Sequence, residues 1–471
     1  MSTFSGLNTA WTGLTAARRA METAGQNMAN VGTEGYTRQR VETAAAGAPA
    51  AVGRLGGTPQ PGQGVVLLDV TRLSNPQLDA RVRDTAALSS QTQNITAGLS
   101  AIEDIFREPG PDGLSALLSE FWSGWEDVAS APGDEAPAAV LLSQGQALAD
   151  RLAQMHQELS SQYLSQHQKL AEQVNEVNAT ALALADLNRQ VSTAAAAGNN
   201  VNELLDQRDR MTERLAELTG AEVRNQPDES TEVFIGGTPL VTGGTARALQ
   251  LNGSAVLGQG GVQLSWSHRP EGGAATIQGG AIAGSLTMLA TADDAGSGGP
   301  IAQTAAALAD LATALADQVN AVHREGRTVD GEPGDDFFTL DPDRPAASLA
   351  VAISGARELA TGGPGHGSLD GSNALKIAEL AASPSGPDAL WTALVTSTGT
   401  AVRNAAQASV NASVSYVSSV EQQRSHSAVS LDEENISLLT HQYAYQGAAR
   451  VMTAIDQMLD VLINRTGVVG R

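Results

Sequence analysis

Leu7, Ala10, Leu14, Ala17, Met21, Ala24 and Met28 follow one another at alternating intervals of three and four residues. That spacing puts all seven on one stripe of an α-helix, the seam along which a second helix packs. The far end of the chain repeats the design. Leu438, His441, Tyr445, Ala448, Met452, Ile455, Leu459 and Leu462 keep the same intervals behind an acidic start, Leu431-Asp432-Glu433-Glu434, which suits a helix N-terminus. The first helix has four large apolar seam residues, each contributing roughly 2 kcal/mol if fully buried. Against them stands a backbone entropy cost of ~1–2 kcal/mol for every residue ordered, and nucleation is itself unfavourable. Each terminal helix therefore needs a partner, and the obvious one is the other terminal helix, parallel or antiparallel. Seams this rich in alanine leave apolar surface for neighbouring subunits, whereas a closed bundle within one chain meets the same pattern. The expected assembly interface is Leu7, Leu14, Met21 and Met28 with Leu438, Tyr445, Met452, Ile455, Leu459 and Leu462.

Between the ends the chain reads as mainly α with a β-rich insert. Residues 41–73 are rich in Gly, Ala and Pro and become strand-like at Val65-Val66-Leu67-Leu68. Asn75-Pro76 suits a cap and a first helical position, and the helix it opens runs toward Pro109, ~50 Å at 1.5 Å per residue. A second helical block spans 136–197, with Tyr163, His167, Leu170, Val174, Val177, Ala181, Leu184, Asn188 and Val191 in strict heptad spacing. A further helix carries Leu204, Arg208, Met211, Leu215 and Leu218 and meets Gly220 where a C-terminal cap belongs. From Val233 to Gly299 there are 16 glycines in 67 residues, and the short runs between them predict antiparallel strands and tight turns. Helical pattern returns at 300–325, fails from Gly326 to Pro345, and continues from about 372 after a short strand-like run at 346–354. The expected domains are a terminal coiled coil (1–40 and 428–471), a helical-bundle middle (41–221 and 284–427) and a small antiparallel β domain (222–283).

Composition removes several functions. A net charge of −23 argues against nucleic-acid binding, which needs a cationic face, and against a polybasic membrane anchor. With no cysteine, thiolate metal sites, disulfides and a Cys nucleophile are excluded. The seven histidines stand at 156, 167, 268, 323, 366, 426 and 441 without an H-x-x-x-H pair. No run approaches the ~18 apolar residues of a membrane span, so no membrane insertion is expected. Residues 1–30 lack the basic start and apolar core of a cleavable secretory signal.

The remaining candidate sites have simpler readings. Asp206 and Asp209 suggest a carboxylate pair, but Asp206 and Arg210, four apart, are expected to form an exposed helix pair. Asp330, Glu332, Asp335, Asp336, Asp341 and Asp343 lack the ligand order of a calcium loop and read as solvated acids. Gly243-Gly244 lacks the Lys-Ser/Thr of a phosphate loop. Phe121, Trp122 and Trp125 gather the scarce aromatics and are expected to anchor the helical core. No catalytic, metal or cofactor residue is assigned. Besides a polymerising structural subunit, a surface wall-cleaving enzyme and a monomeric coiled-coil scaffold fit the composition.

Asn27-Met28-Ala29-Asn30-Val31-Gly32-Thr33-Glu34-Gly35-Tyr36-Thr37-Arg38-Gln39-Arg40 resembles the N-I-A-N-x-x-T-x-G-Y-[ST]-R-Q signature of bacterial flagellar rod, hook and hook-associated axial proteins. Met28 stands where Ile is usual and Glu34 where Pro is common. The carboxyl end, from Leu431-Asp432-Glu433-Glu434 through Tyr443-Ala-Tyr-Gln446 to Leu459, resembles the matching terminus. Three features favour the hook-associated branch at the hook–filament junction over the hook and distal rod branches. These are Tyr36 where the hook branch tends to have Phe, Leu204-Leu205-Asp206-Gln207-Arg208-Asp209, and Gly334-Asp335-Asp336-Phe337-Phe338. The likeness is strong at the ends, weaker over 75–220 and 300–380, and absent over 222–283. It marks Asn27, Asn30, Gly35, Tyr36, Arg38, Gln39, Asp206, Arg208 and Asp209 as motif residues. It implies an extracellular structural subunit between hook and filament, polymerising through its terminal helices and performing no chemistry. The partners it implies are further copies in a ring at the hook tip, the flagellar hook protein, hook-associated protein 3, an export chaperone and the flagellar type III export apparatus, entered by an uncleaved signal.

Overall fold

The computed structural model describes residues 3–47, 62–269, 273–365, 367 and 369–465. Helix α1 (Thr3–Ala29) leads into an antiparallel hairpin of β1 (Gln39–Ala45) and β2 (Val65–Arg72). Then come α2 (Pro76–Phe106), α3 (Leu114–Ser130), α4 (Glu135–Ala196) and α5 (Asn202–Thr219). Strands β3 (Glu222–Asn225), β4 (Thr231–Ile235), β5 (Thr238–Thr242) and β6 (Thr245–Ala246) form one antiparallel sheet in sequential order. Strands β7 (Leu249–Asn252) and β8 (Gln263–Trp266) pair beside it. The chain continues through α6 (Gly280–Leu289), α7 (Pro300–Glu325), β9 (Phe338–Thr339), the single turn α8 (Pro345–Ser348) and β10 (Ala350–Val351). It ends with α9 (Ser372–Ala378), α10 (Pro387–Ser427) and α11 (Leu431–Asp460).

Helices α2, α4 and α11 start where a side chain satisfies free N–H groups of the first turn. Asn75 Oδ1 accepts from the N–H groups of Gln77 (3.0 Å) and Leu78 (3.3 Å), with Pro76 at the first helical position. Asp134 caps α4 through the Ala136 N–H, and Ser430 caps α11. Gly220 takes the left-handed conformation that closes α5. The 62 residues of α4 make a strut ~93 Å long. Of its expected seam only His167 is not buried; Tyr163, Leu170, Val174, Val177, Ala181, Leu184, Asn188 and Val191 all are.

One buried cluster runs through the body, from Leu99 and Phe106 on α2 to Trp391 on α10. At one end Phe121 and Trp125 meet edge-on, their ring centroids 6.3 Å apart, and pack tilted against Phe337 and Phe338 at 5.1–5.7 Å. At the other, Val233, Leu240, Leu249 and Trp266 of the strands join the same cluster as the α4 seam. Asn188 fastens the sheet to the strut. It donates to the carbonyls of Thr231 (2.8 Å) and Gly243 (2.9 Å) and accepts from the Thr231 N–H (3.1 Å). The β segment therefore completes the cover of α4. Among the described residues, none of α1, the β1–β2 hairpin or α11 belongs to this cluster.

Three stretches differ from the sequence expectation. Of the strand-like run at 346–354, residues up to Ser348 belong to the helical turn α8 and only Ala350–Val351 form a strand. Residues 280–283, grouped with the β insert, begin α6, which lies buried among α2, α4 and α5. Its segment Gly-Ala-Ile-Ala-Gly-Ser-Leu-Thr-Met-Leu is covered on nearly every side, so it has no polar face to generate a helical period. Gly284 fits there because a Cβ would stand 2.8 Å from the Gln91 carbonyl oxygen. Residues 41–45 and 65–72, grouped with the helical middle, instead form most of a hairpin lying against α1, and 48–61 lie outside the described residues.

His323 is fully buried within the body. Its Nε2 accepts from the Ala360 N–H (2.9 Å), so Nδ1 carries the hydrogen and donates to the Asp335 carbonyl (2.6 Å). Burial lowers its pKa below the ordinary value. The folded state thus favours the neutral ring, while the unfolded chain takes up the proton near pH 6.5. The contribution is whole above about pH 6.5 and falls away as the pH drops below it. Chemical unfolding midpoints should accordingly decline between about pH 6.5 and 5, with a shallower slope in His323→Asn. Equal slopes in the two proteins would remove His323 as the cause.

Candidate assembly interface

Helices α1 and α11 run antiparallel. A Cβ added at Gly6 would stand 3.1 Å from Ile455 Cδ1, one at Gly13 would stand 3.9 Å from Ala448 Cβ, and Asn27 meets Glu434. The small seam residues lie innermost: Ala10, Ala17 and Ala24 are buried, and Ile455 is buried opposite them. Leu7, Leu14, Met21 and Met28 are half-buried, as are Leu438, Tyr445, Met452 and Leu459. Leu462 is 52% exposed, in a final wide turn beyond α11. Alanines at the crossing bring the backbones close, which pushes the longer side chains to the flanks of the pair.

The motif after α1 folds into a polar clasp. Asn27, 1% exposed, donates to the Gln39 carbonyl (2.9 Å) and Glu434 Oε2 (3.1 Å) and accepts from the Gln39 N–H (3.0 Å) and Tyr36 Oη (2.9 Å). Both its donors and both its lone pairs are used. Arg38 Nε donates to Glu434 Oε1 (2.6 Å), its Nη1 to Glu433 Oε2 (2.6 Å), and its backbone N–H to the Ser427 carbonyl (2.9 Å). One turn of chain thus binds α1 to the first turn of α11 and the last of α10. Asn30 shapes the turn by accepting from Thr33 Oγ1 (3.1 Å) and donating to the Gln26 carbonyl (2.9 Å). Gly35 has φ +74°, and Arg210 lies across it where a Cβ would be. Burial, with Asp206, Glu203 and Glu434 nearby, pushes the Tyr36 phenol up to about 12, so it stays a neutral donor.

A second set of charges joins the clasp to the body. Arg72, 7% exposed at the end of β2, places Nη1 2.6 Å from Asp206 Oδ1 and Nη2 2.8 Å from Asp209 Oδ2. Burial works against its charge, but Asp209 and Asp206 more than offset this and raise its pKa. Asp206 Oδ2 also accepts from the Thr37 N–H (3.2 Å). Arg208, buried, donates to the Glu229 carbonyl (2.8 Å) and to Asp209 Oδ1. Asn202 closes the set on Gln39 Oε1 (3.2 Å) and the Val70 carbonyl (2.7 Å). The expected exposed pair of Asp206 with Arg210 does not form. Asp206 faces inward to Arg72, and Arg210 reaches the Glu34 carbonyl instead (3.2 Å). Helical spacing offered Arg210 as the partner, whereas folding supplied a cation 134 residues away.

The structure therefore brings Asn27, Tyr36, Arg38, Gln39, Asp206, Arg208 and Asp209 to one node. Arg72 was not marked by any sequence motif, and Glu433 and Glu434 were marked as a helix start and as part of the carboxyl-terminal resemblance, without a partner. Beside the node, a groove of about 510 Å³ opens between α1, the hairpin and α11. The acids at 330–343 are tied to exposed arginines, Asp336 to Arg324 (3.1 Å) and Asp341 to Arg344 (3.3 Å).

Residues 7–37 match the family model of flagellar basal body rod proteins, and residues 421–465 match the C-terminal model of the basal body rod proteins FlgE, FlgF and FlgG. A terminal helix pair with these two signatures defines a flagellar axial protein. Residues 99–338, just over half the chain, match the helical domain of the flagellar hook-associated protein FlgK. The chain belongs to that family and is a structural hook-associated subunit of the flagellum. It is 26% identical to flagellar hook-associated protein 1 of Bacillus subtilis over the whole of both chains. It is 28% identical to the Escherichia coli protein of that name over 71% of this chain and 60% of the relative. In fold it is similar to the hook junction protein FlgK of Burkholderia pseudomallei, with a TM-score of 0.64 and 15% identity over 74% of this chain and 100% of that one.

Proposed function

We propose that the chain is an adaptor without enzymatic activity, which joins the flagellum outside the cell by packing its terminal helix pair against further copies at the hook tip. The observation that carries this reading is the division of the molecule. The terminal pair takes no part in the buried core of the body, and it bears large exposed apolar residues, among them Phe4, Trp11, Ile436 and Tyr443. Such surface on a helix pair marks an interaction site. The hook protein meets the array on one side and hook-associated protein 3 on the other. Before assembly, an export chaperone holds the carboxyl-terminal segment and the type III apparatus delivers the chain. Residues 1–40 and 428–471 form the assembling domain, with the β1–β2 hairpin attached to it. The helical body and the β segment lie outside the array of terminal pairs. Electron microscopy of cells lacking the protein should show hooks of normal number without filaments, restored by the full chain. Filaments of normal number in its absence would overturn the reading.

A further inference from the structure

Four of the five tryptophans, Trp122, Trp125, Trp266 and Trp391, are 5% exposed or less, whereas Trp11 is 58% exposed. Phe4, seven residues earlier on α1, is 70% exposed. Seven residues is close to two full turns, so the two rings stand one above the other on one face. In a chain this poor in aromatics, leaving two of them bare on one helix face is costly unless another surface covers them.

The groove beside the clasp lies on the other side of the same helix. Its floor is Ala16, Ala17 and Ala20 of α1, and its walls include Val41 and Val65 of the hairpin and Ala444 of α11. Ala20 is nine residues from Trp11, which at 100° per residue places it about 180° away around the helix. The described strands of the hairpin contact Thr9 and Thr12 and wall the groove. At about 510 Å³ the groove falls within the size range that takes drug-sized ligands, enough for an indole and a phenyl ring.

We infer that Trp11 and Phe4 of one copy seat in the α1–hairpin–α11 groove of a second copy, side by side along the array. This rests on the adaptor reading and names its contact. Knob and groove lie on opposite faces of one helix, so each copy offers both halves and the contact is heterologous. A contact of that kind repeats from copy to copy instead of closing as a dimer. Tryptophan is the residue most enriched among the anchors of protein interfaces. Seating Trp11 over Ala20 shifts neighbours along the helix axis by nine residues, about 13 Å. Thr15 of one copy then comes level with residue 24 of the next, near Arg40, because Gln39 is bonded to Asn27 at that height.

The absence of cysteine makes this testable by cross-linking of the full chain. Thr15→Cys and Arg40→Cys, each leaving the knob and the clasp intact, are prepared separately, mixed, assembled on isolated hooks and treated with a short bis-maleimide. Linked dimers are expected from the mixture and not from either variant alone. Trp11→Ala and the groove-filling Ala20→Phe should each lower incorporation at the hook tip at least tenfold, with circular dichroism of the soluble chain unchanged. Dimers from Thr15→Cys alone would show an isologous contact and overturn the proposal. So would normal incorporation of Trp11→Ala, which leaves the adaptor reading standing. Failure of the unaltered chain to add to hooks would overturn the adaptor reading itself.

Discussion

Replacing Arg72 with Met should destabilise the protein by about 3–5 kcal/mol, the usual result of removing one partner from a buried ion pair. The guanidinium serves two carboxylates, and without it the buried carboxylate of Asp206, 5% exposed, loses its cation. The Thr37 N–H at 3.2 Å does not replace a full cation. Adding Asp206→Asn should recover part of the loss, since the double variant buries one polar amide in place of an unpaired charge. Urea unfolding of the four proteins in the cycle measures this. A loss below about 1 kcal/mol in Arg72→Met would mean that water reaches the site and that the clasp is not anchored through it. Because Arg72 joins the hairpin to α5, the same variant should also open the hairpin to protease before the helical body unfolds.

Met452→Arg together with Leu459→Arg should abolish filaments while leaving hooks. Both side chains lie half-buried on the flanks of the terminal pair, where a neighbouring copy would finish covering them. An unpaired guanidinium in a covered apolar seam costs several kcal/mol even after relaxation. No residue of α11 belongs to the core cluster of the body, so the main thermal transition should hardly move. Secretion is measured alongside. Loss of secretion would place the defect in export, and normal filaments from the double variant would sink the role of this helix in assembly.

What was legible in the sequence follows from how local each cause is. The seams, the caps at Asn75 and Gly220 and the turn at Asn30–Gly35 depend on residues within a few positions of one another, and all could be read directly. Helix α6 could not be read, because burial on nearly every side leaves no alternation of polar and apolar residues. The strand at 39–45 was hidden by its run of Thr and Ala, which says little until β2 pairs with it. The clasp lay furthest out of reach. Resemblance marked Asn27 and Arg38 without giving them a task. Their partner Glu434 is 407 residues from Asn27 and 396 from Arg38, and no spacing rule connects such positions. For the same reason local reasoning gave Asp206 the wrong cation.

The separation between α1 and α11 also orders events in time. Contacts between segments so far apart in the chain are slow to form from an open coil, since closing the loop between them must precede any gain. Here the body shortens that search. Once α2 and α10 have packed, the Gln423–Asp79 bond (2.7 Å) holds the end of α10 beside the start of α2, and the hairpin and α11 emerge next to each other. The terminal pair is then expected to close after the body has packed, which hydrogen exchange during refolding would show as later protection of α1 and α11 than of α2 and α10. By the same expectation, a subunit whose middle fails to pack would bring its two seams together more slowly, tying entry into the structure to completion of the fold.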